Sequence, residues 1–233
     1  MKNSVIDPWL YYFEPVSSMG VRECRFMHKV IYSRIRFPRY KGIYYYREKE
    51  KNILPDKARI HELYELTQKY MKFRPELQEK LENTSQILTR FQKVLGIHVR
   101  GTDMFTAGKQ HPVPNGKTKD FAVIDEIMEK HKVDGIFLCT DTESTVRSFK
   151  EHYGEKIETL TVVRQENDEK TGIHRDESLG KGRVNHKYLL GEEVLTDMYL
   201  LSKCDVLLCG PSNVAFAAMI YNDGKYEEVY YQV

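Results

Sequence analysis

Net charge is scarce in this chain. Its 36 lysines and arginines meet 34 aspartates and glutamates, leaving +2 over 233 residues, and the two signs are interleaved nearly everywhere. A general nucleic-acid binder carries a basic face or block. None is present, so no nucleic-acid partner is expected and any anion site must be local. Cysteines are also few: Cys24, Cys139, Cys204 and Cys209 follow no metal-ligand spacing. Cys139 and Cys209 lie in apolar runs, where a thiol behaves as a small hydrophobe. This usage excludes a disulfide framework and fits a reducing compartment. No apolar run approaches the length of a membrane span, and the opening "MKNSVIDPWLYYFEP" lacks the apolar core of a secretion signal. These absences lead to the expectation of a cytoplasmic protein with no integral membrane segment.

What is present divides into two regions. Residues 1–90 are aromatic and basic, with clustered tyrosines in "WLYYFEP" and "YKGIYYYREKEK". "LPDKARIHELYELTQKYMKF" predicts a helix opened by Pro55 and Asp56, with Ile60, Leu63, Leu66, Tyr70 and Met71 at helical spacing. A second helix is expected from Pro75 to Leu81, since proline suits a first turn. In residues 91–233 short apolar runs alternate with amphipathic stretches. "KVLGIHV", "GIFLCT", "IETLTVV" and "DVLLCG" read as strands, and "EEVYYQV" closes the chain. "DFAVIDEIMEKHK", "TESTVRSFKEHYG" (capped by Thr142), "GEEVLTDMYLLSKC" and "SNVAFAAMIYN" read as helices. Fully apolar strands alternating with helices specify a parallel sheet covered on both faces. The expected fold is α/β: a Rossmann-like parallel sheet domain at 91–233, preceded by a short, mostly helical N-terminal region at 1–90.

In such sheets ligands bind beyond the carboxyl ends of the strands. The first strand is followed by His98, Arg100, Thr102 and Asp103, and the second by Thr140 and Asp141. The third is followed by Arg164 and the polar loop "QENDEKTGIHRDESLGKGRVNHKY", the fourth by Gly210, Pro211, Ser212 and Asn213. Arg100 offers a guanidinium fork for two phosphate oxygens, or a surface pair with Asp103. Ser212 and the backbone N–H groups after it open a helix, which favours an anion and also describes an ordinary N-cap. His98 could bond a base or phosphate, or be a satisfied core residue. Asp197 lies close to the apolar stripe of its helix and needs a donor, either a ligand edge or a neighbouring arginine. "TDTE" admits a divalent metal through Asp141 and Glu143, but helix capping explains it as well. "LGKGR" lacks phosphate-loop spacing and follows no strand; it reads as a basic loop able to fold over an anionic ligand.

"GIHVRGTDM", "FLCTDTES" and "EEVLTDMYLLSKCDVLLCGPSNVAF" resemble, in that order, the donor half of the GDP-fucose-dependent fucosyltransferases of the α1,6 and nodulation type. The resemblance spans roughly Val94 to Ala218, and "IDPWLYYFEPVS" also looks like a segment between the two halves of such bacterial enzymes. It implies a GT-B architecture and metal-independent, inverting transfer of fucose from GDP-fucose to a glycan acceptor, with no further cofactor. It implies that Arg100 grips the donor diphosphate with His98 near the guanosine, that Asp197 reads guanine, and that Thr140, Asp141, Ser212 and Asn213 complete the donor site. Asp103 and His111 are the candidate general bases. The chain departs from the family pattern at Gly101, where a second basic residue is usual, and downstream in "MFTAGKQHPVP", where the acid proposed as base in some members has no clear counterpart; residues 1–90 are expected to form an abbreviated acceptor-side region. Two alternatives follow: another nucleotide-sugar transferase, metal-dependent through Asp141 and Glu143, or an inactive relative that binds a GDP-sugar without transfer.

Overall fold

The computed structural model describes residues 7–19, 57–100, 117–166 and 177–232. Among them, α1 (Lys57–Tyr70) and α2 (Pro75–Ser85) precede an alternation of strand and helix. This runs β1 (Val94–Val99), α3 (Phe121–His131), β2 (Gly135–Thr140), α4 (Glu143–Tyr153) and β3 (Ile157–Glu158), then α5 (His186–Leu201), β4 (Val206–Cys209), α6 (Asn213–Tyr221) and β5 (Glu228–Tyr231). The strands form one sheet in the order β3-β2-β1-β4-β5, and every neighbouring pair is parallel. The expected Rossmann-like α/β sheet is therefore present.

Every residue of β1 and β2 is buried, as strands covered on both faces require. Leu95, Ile97, Val99, Ile136, Leu138, Val206 and Leu208 pack one face of the sheet against Ile124, Ile127 and Met128 of α3 and Val146 and Phe149 of α4. Val94, Phe137, Cys139, Leu207 and Cys209 pack the other face against Met198, Leu200 and Leu201 of α5 and Ala215, Phe216 and Met219 of α6. Gly96 lies on this second face because the end of α5 comes so close: a Cβ there would sit 3.0 Å from Cys204 Sγ and 3.1 Å from Leu201 Cδ2.

The described segments before residue 91 share this second core. Phe13, Ile60, Phe73, Leu77 and Leu81 are buried within it. Phe13 bridges to Phe73 in antiparallel fashion, with the rings stacked at 5.2 Å. Glu14 N–H donates to Lys72 O (2.8 Å) and Arg74 N–H to Tyr12 O (2.9 Å) on either side of that bridge. Burial of each such side chain stabilises the fold by about 1.5–3 kcal/mol.

Three elements differ from the sequence expectation. In α1 the inward stripe is Ile60, Leu63 and Thr67, continued by Met71 just beyond the helix, whereas Leu66 and Tyr70 are 47% and 44% exposed. Positions 66 and 70 fit the helical period but fall off the narrow face that meets α6. Helix α2 runs on to Ser85 rather than stopping at Leu81. In "IETLTVV" only Ile157 and Glu158 join the ladder. Beyond them side chains take the carbonyls of β2: Thr159 Oγ1–H donates to Leu138 O (2.9 Å) and Arg164 Nε–H to Thr140 O (3.1 Å). Pro55 and Asp56, assigned to the start of α1, lie outside the described residues. No helix among the described residues is long and apolar enough to cross a membrane.

Candidate functional site

Strand order reverses at β1, which has β2 on one side and β4 on the other. Helix α3, which follows β1 in the chain, packs on one face of the sheet and α6, which follows β4, on the other, and the gap between those two strand ends is the usual ligand crevice of an open α/β sheet. Arg100 follows β1 there, and the Gly210–Pro211–Ser212 turn follows β4.

His98, the penultimate residue of β1, stands in register with Cys139 of β2 and Cys209 of β4. It is buried, and its Nε2 lies 3.5 Å from Ser212 Oγ, so one weak contact spans the gap. Burial pushes the imidazole down to about 4; the Asp141 carboxylate opposes this and the Arg100 guanidinium adds to it. His98 is thus neutral at physiological pH, and Arg100 and Asp141 both lie within electrostatic reach of it. Ser212, itself buried, takes the N-cap position of α6 and accepts from Val214 N–H at 3.1 Å. Asn213 follows as the first helical residue and is exposed.

A second group of polar side chains lies on the same face. Asp197 of α5 is half-buried by exposed area. Its carboxyl is nevertheless surrounded deeply enough that burial pushes it up to about 7, against the pull of Arg164. The Cys139 thiol donates to that carboxylate, and burial first, Asp197 second, hold the thiol well above its ordinary range. Arg164 is held rigidly, with Nη2–H groups donating to Thr159 Oγ1 (2.8 Å) and Leu160 O (2.6 Å), and Nη1 3.5 Å from Glu143 Oε2. The donor that reaches Asp197 is thus the Cys139 thiol, while Arg164 acts on the carboxylate by its charge. The burial of the Arg164 side chain depends on the chain leaving the ladder early, which the apolar run conceals.

The "TDTE" segment is tied internally. Thr140 is buried, and its hydroxyl accepts from Thr142 N–H at 3.4 Å. Thr142 occupies the N-cap of α4 but makes no side-chain cap bond; its hydroxyl meets Thr145 Oγ1 at 2.7 Å instead. Asp141 is half-buried beside it, and Glu143 faces Arg164. Among the described residues no group of three or more His, Cys, Asp or Glu side chains is arranged to hold a metal ion. Asp103 and His111, like Gly101 and Thr102, lie outside the described residues. In "LGKGR", Gly180 is required by the His186 ring, which a Cβ would meet at 2.6 Å, and Gly182 by its φ of +79°.

No protein-family model and no curated protein matches the chain. Solved structures do. The NodZ α-1,6-fucosyltransferase soaked with GDP-fucose aligns over 91% of this chain and 75% of its own, at 17% identity and a TM-score of 0.49. POFUT1 in complex with GDP-fucose aligns over 74% of this chain and 49% of its own, at 8% identity and a TM-score of 0.41. A mutant of Arabidopsis thaliana FUT1 in complex with GDP aligns over 70% of this chain and 34% of its own, at 14% identity and a TM-score of 0.41. Each is a likeness of chain path over part of both molecules.

Proposed function

We propose that this chain transfers fucose from GDP-fucose to a glycan hydroxyl, with inversion and without a metal. The observation that supports this reading is the convergence of residues from β1, β2, α5 and the β4–α6 turn at one end of the sheet. Those residues are His98, Arg100, Thr140, Asp141, Asp197, Ser212 and Asn213, which also carry the resemblance to the fucosyltransferase donor half.

In this reading Asp197, when ionised, accepts from the N1–H and N2–H₂ edge of guanine, and neutral His98 lies beside the nucleoside. Arg100 and the N-terminus of α6 at Ser212 face the diphosphate. When the C1–O bond of fucose breaks, negative charge grows on the departing diphosphate, and both groups stabilise it in place. An acceptor hydroxyl attacks C1 from the opposite side while a general base, Asp103 or His111, takes its proton. Charge neutralisation by fixed donors is the reason no metal is invoked; turnover abolished by EDTA would transfer the role to an ion at Asp141 and Glu143.

The primary test is calorimetric titration with GDP, UDP, CDP and GDP-fucose. GDP and GDP-fucose are expected to bind, and UDP and CDP to fail. Arg100→Ala should abolish GDP binding with the melting temperature unchanged, because Arg100 stands beyond the strand rather than inside it. Near-normal GDP affinity in that variant defeats the site assignment. GDP binding without consumption of GDP-fucose on any glycan acceptor defeats the transferase reading.

A further inference from the structure

The donor reading leaves unused an open groove of ≈ 1030 Å³ beside the N-terminus of α5. Its walls include Tyr11, Tyr12 and Tyr188, with Lys181, Lys187 and Asn185. The rings are fixed in place. Tyr12 stacks on Tyr188 at 5.3 Å and 14°, and Tyr11 meets Tyr188 edge-on at 5.9 Å. Tyr12 Oη–H donates to Tyr188 O (2.8 Å), entering a space that exists because residue 191 is glycine. Tyr188 Oη–H donates to Glu192 Oε2 (3.1 Å), and Glu192 is in turn paired with Lys80 of α2. An aromatic cluster anchored this way loses little entropy when a ligand settles on it.

The charge of the groove is equally specific. Arg183 nearby is neutralised by Glu193. Lys181 and Lys187 are exposed, and neither has an ion-pair partner among the described residues. Two free ammonium groups beside a tyrosine wall suit a ligand with apolar ring faces, hydroxyls and negative charge. Two cations are too few for a nucleic acid, whose binding rests on neutralising many phosphates. The position is informative too. α5 runs antiparallel to the strands, so its N-terminus lies at their carboxyl ends, and Glu193, which pairs with Arg183, also acts electrostatically on Asp197. Groove and crevice are successive stretches of one helix.

From this we infer that the groove binds an oligosaccharide carrying carboxylate, sulfate or phosphate groups, and that this anionic glycan is the acceptor of the transfer proposed above. The inference rests on that reading only for the word acceptor; the binding itself stands apart from it. The test is calorimetry without nucleotide, using tetragalacturonate and a heparin-derived tetrasaccharide as acidic probes. Methyl-esterified tetragalacturonate and maltotetraose serve as neutral ones. Acidic probes should bind about ten-fold more tightly than neutral ones, the scale of two exposed ion pairs, and should weaken with added salt. Lys181→Ala/Lys187→Ala should erase that preference, and Tyr11→Ala should weaken both classes. Equal binding of acidic and neutral probes, binding of neither acidic probe, or an unchanged preference in the double lysine variant overturns the proposal. GDP titration of the same variants should match the wild type. If the wild type fails to bind GDP, the donor reading falls while the groove result is judged by its own titrations.

Discussion

Two buried ionisable groups at the crevice make opposite demands on pH. His98, pushed down to about 4, binds its proton only in the unfolded chain between about 4 and its ordinary 6.5, so its contribution to stability falls as pH drops through that window. Asp197, pushed up to about 7 from an ordinary 3.8, keeps its proton only in the folded chain, so its contribution falls as pH rises through its own window. Between pH 4 and 6.5 the two slopes nearly cancel. Asp197→Asn removes one of them, and the slope of unfolding free energy against pH should increase by up to about 1.4 kcal/mol per pH unit, measured by urea denaturation at stepped pH. If guanine binds the ionised carboxylate, GDP binding releases a proton below pH 7. Apparent affinity should then rise up to about ten-fold per pH unit toward 7, with a binding enthalpy that depends on the buffer's own ionisation. The chain itself announced Asp197, a carboxylate beside Met198, Leu200 and Leu201. It could not announce that the Cys139 thiol donates to it and that the Arg164 charge acts on it, because one comes from β2 and the other from the segment beyond β3.

Elements are where periodicity served well and then stopped. Strands β1, β2 and β4 and helices α3 and α6 were readable because an unbroken apolar run or a helical stripe has one stable disposal, against the sheet. The third strand is shorter than its apolar run. "IETLTVV" is apolar enough for seven residues of ladder, and only the hydroxyl of Thr159 and the guanidinium of Arg164 decide that pairing ends after Glu158. The anchoring of Tyr12 at the first turns of α5 is likewise a three-dimensional fact, marked in the sequence only by a glycine inside a helix. That glycine yields a test. In Gly191→Ala the new Cβ would stand 2.2 Å from Tyr12 Oη, so Tyr12 must leave. The loss should be about 1–3 kcal/mol of stability. The chain's one tryptophan, Trp9, packed on Phe13 at 4.5 Å, should report the displacement as a red shift in its emission.

For the whole molecule, the composition boundary near residue 90 does not coincide with a boundary of the core. Phe13 and Phe73 are buried in the same cluster as Leu200 and Leu207, so the N-terminal segments and the sheet should unfold together. Phe13→Ala should cost about 3–5 kcal/mol. Hydrogen exchange should then show the amides of β1 and β4 losing protection along with those of α2; loss confined to residues 7–19 would count against a single cooperative unit. Residue order along the chain cannot reveal such sharing, since it depends on α1 and α2 folding back over α5 and α6. The early end of β3 also bears on how the molecule meets its own copies. A sheet edge with free carbonyls is a template for a foreign strand. Here the outer carbonyls of β2 beyond β3 are already occupied by Thr159 and Arg164, and β3 offers two residues of ladder. That flank is blunted against growth into a fibre, by the same arginine that steadies the crevice.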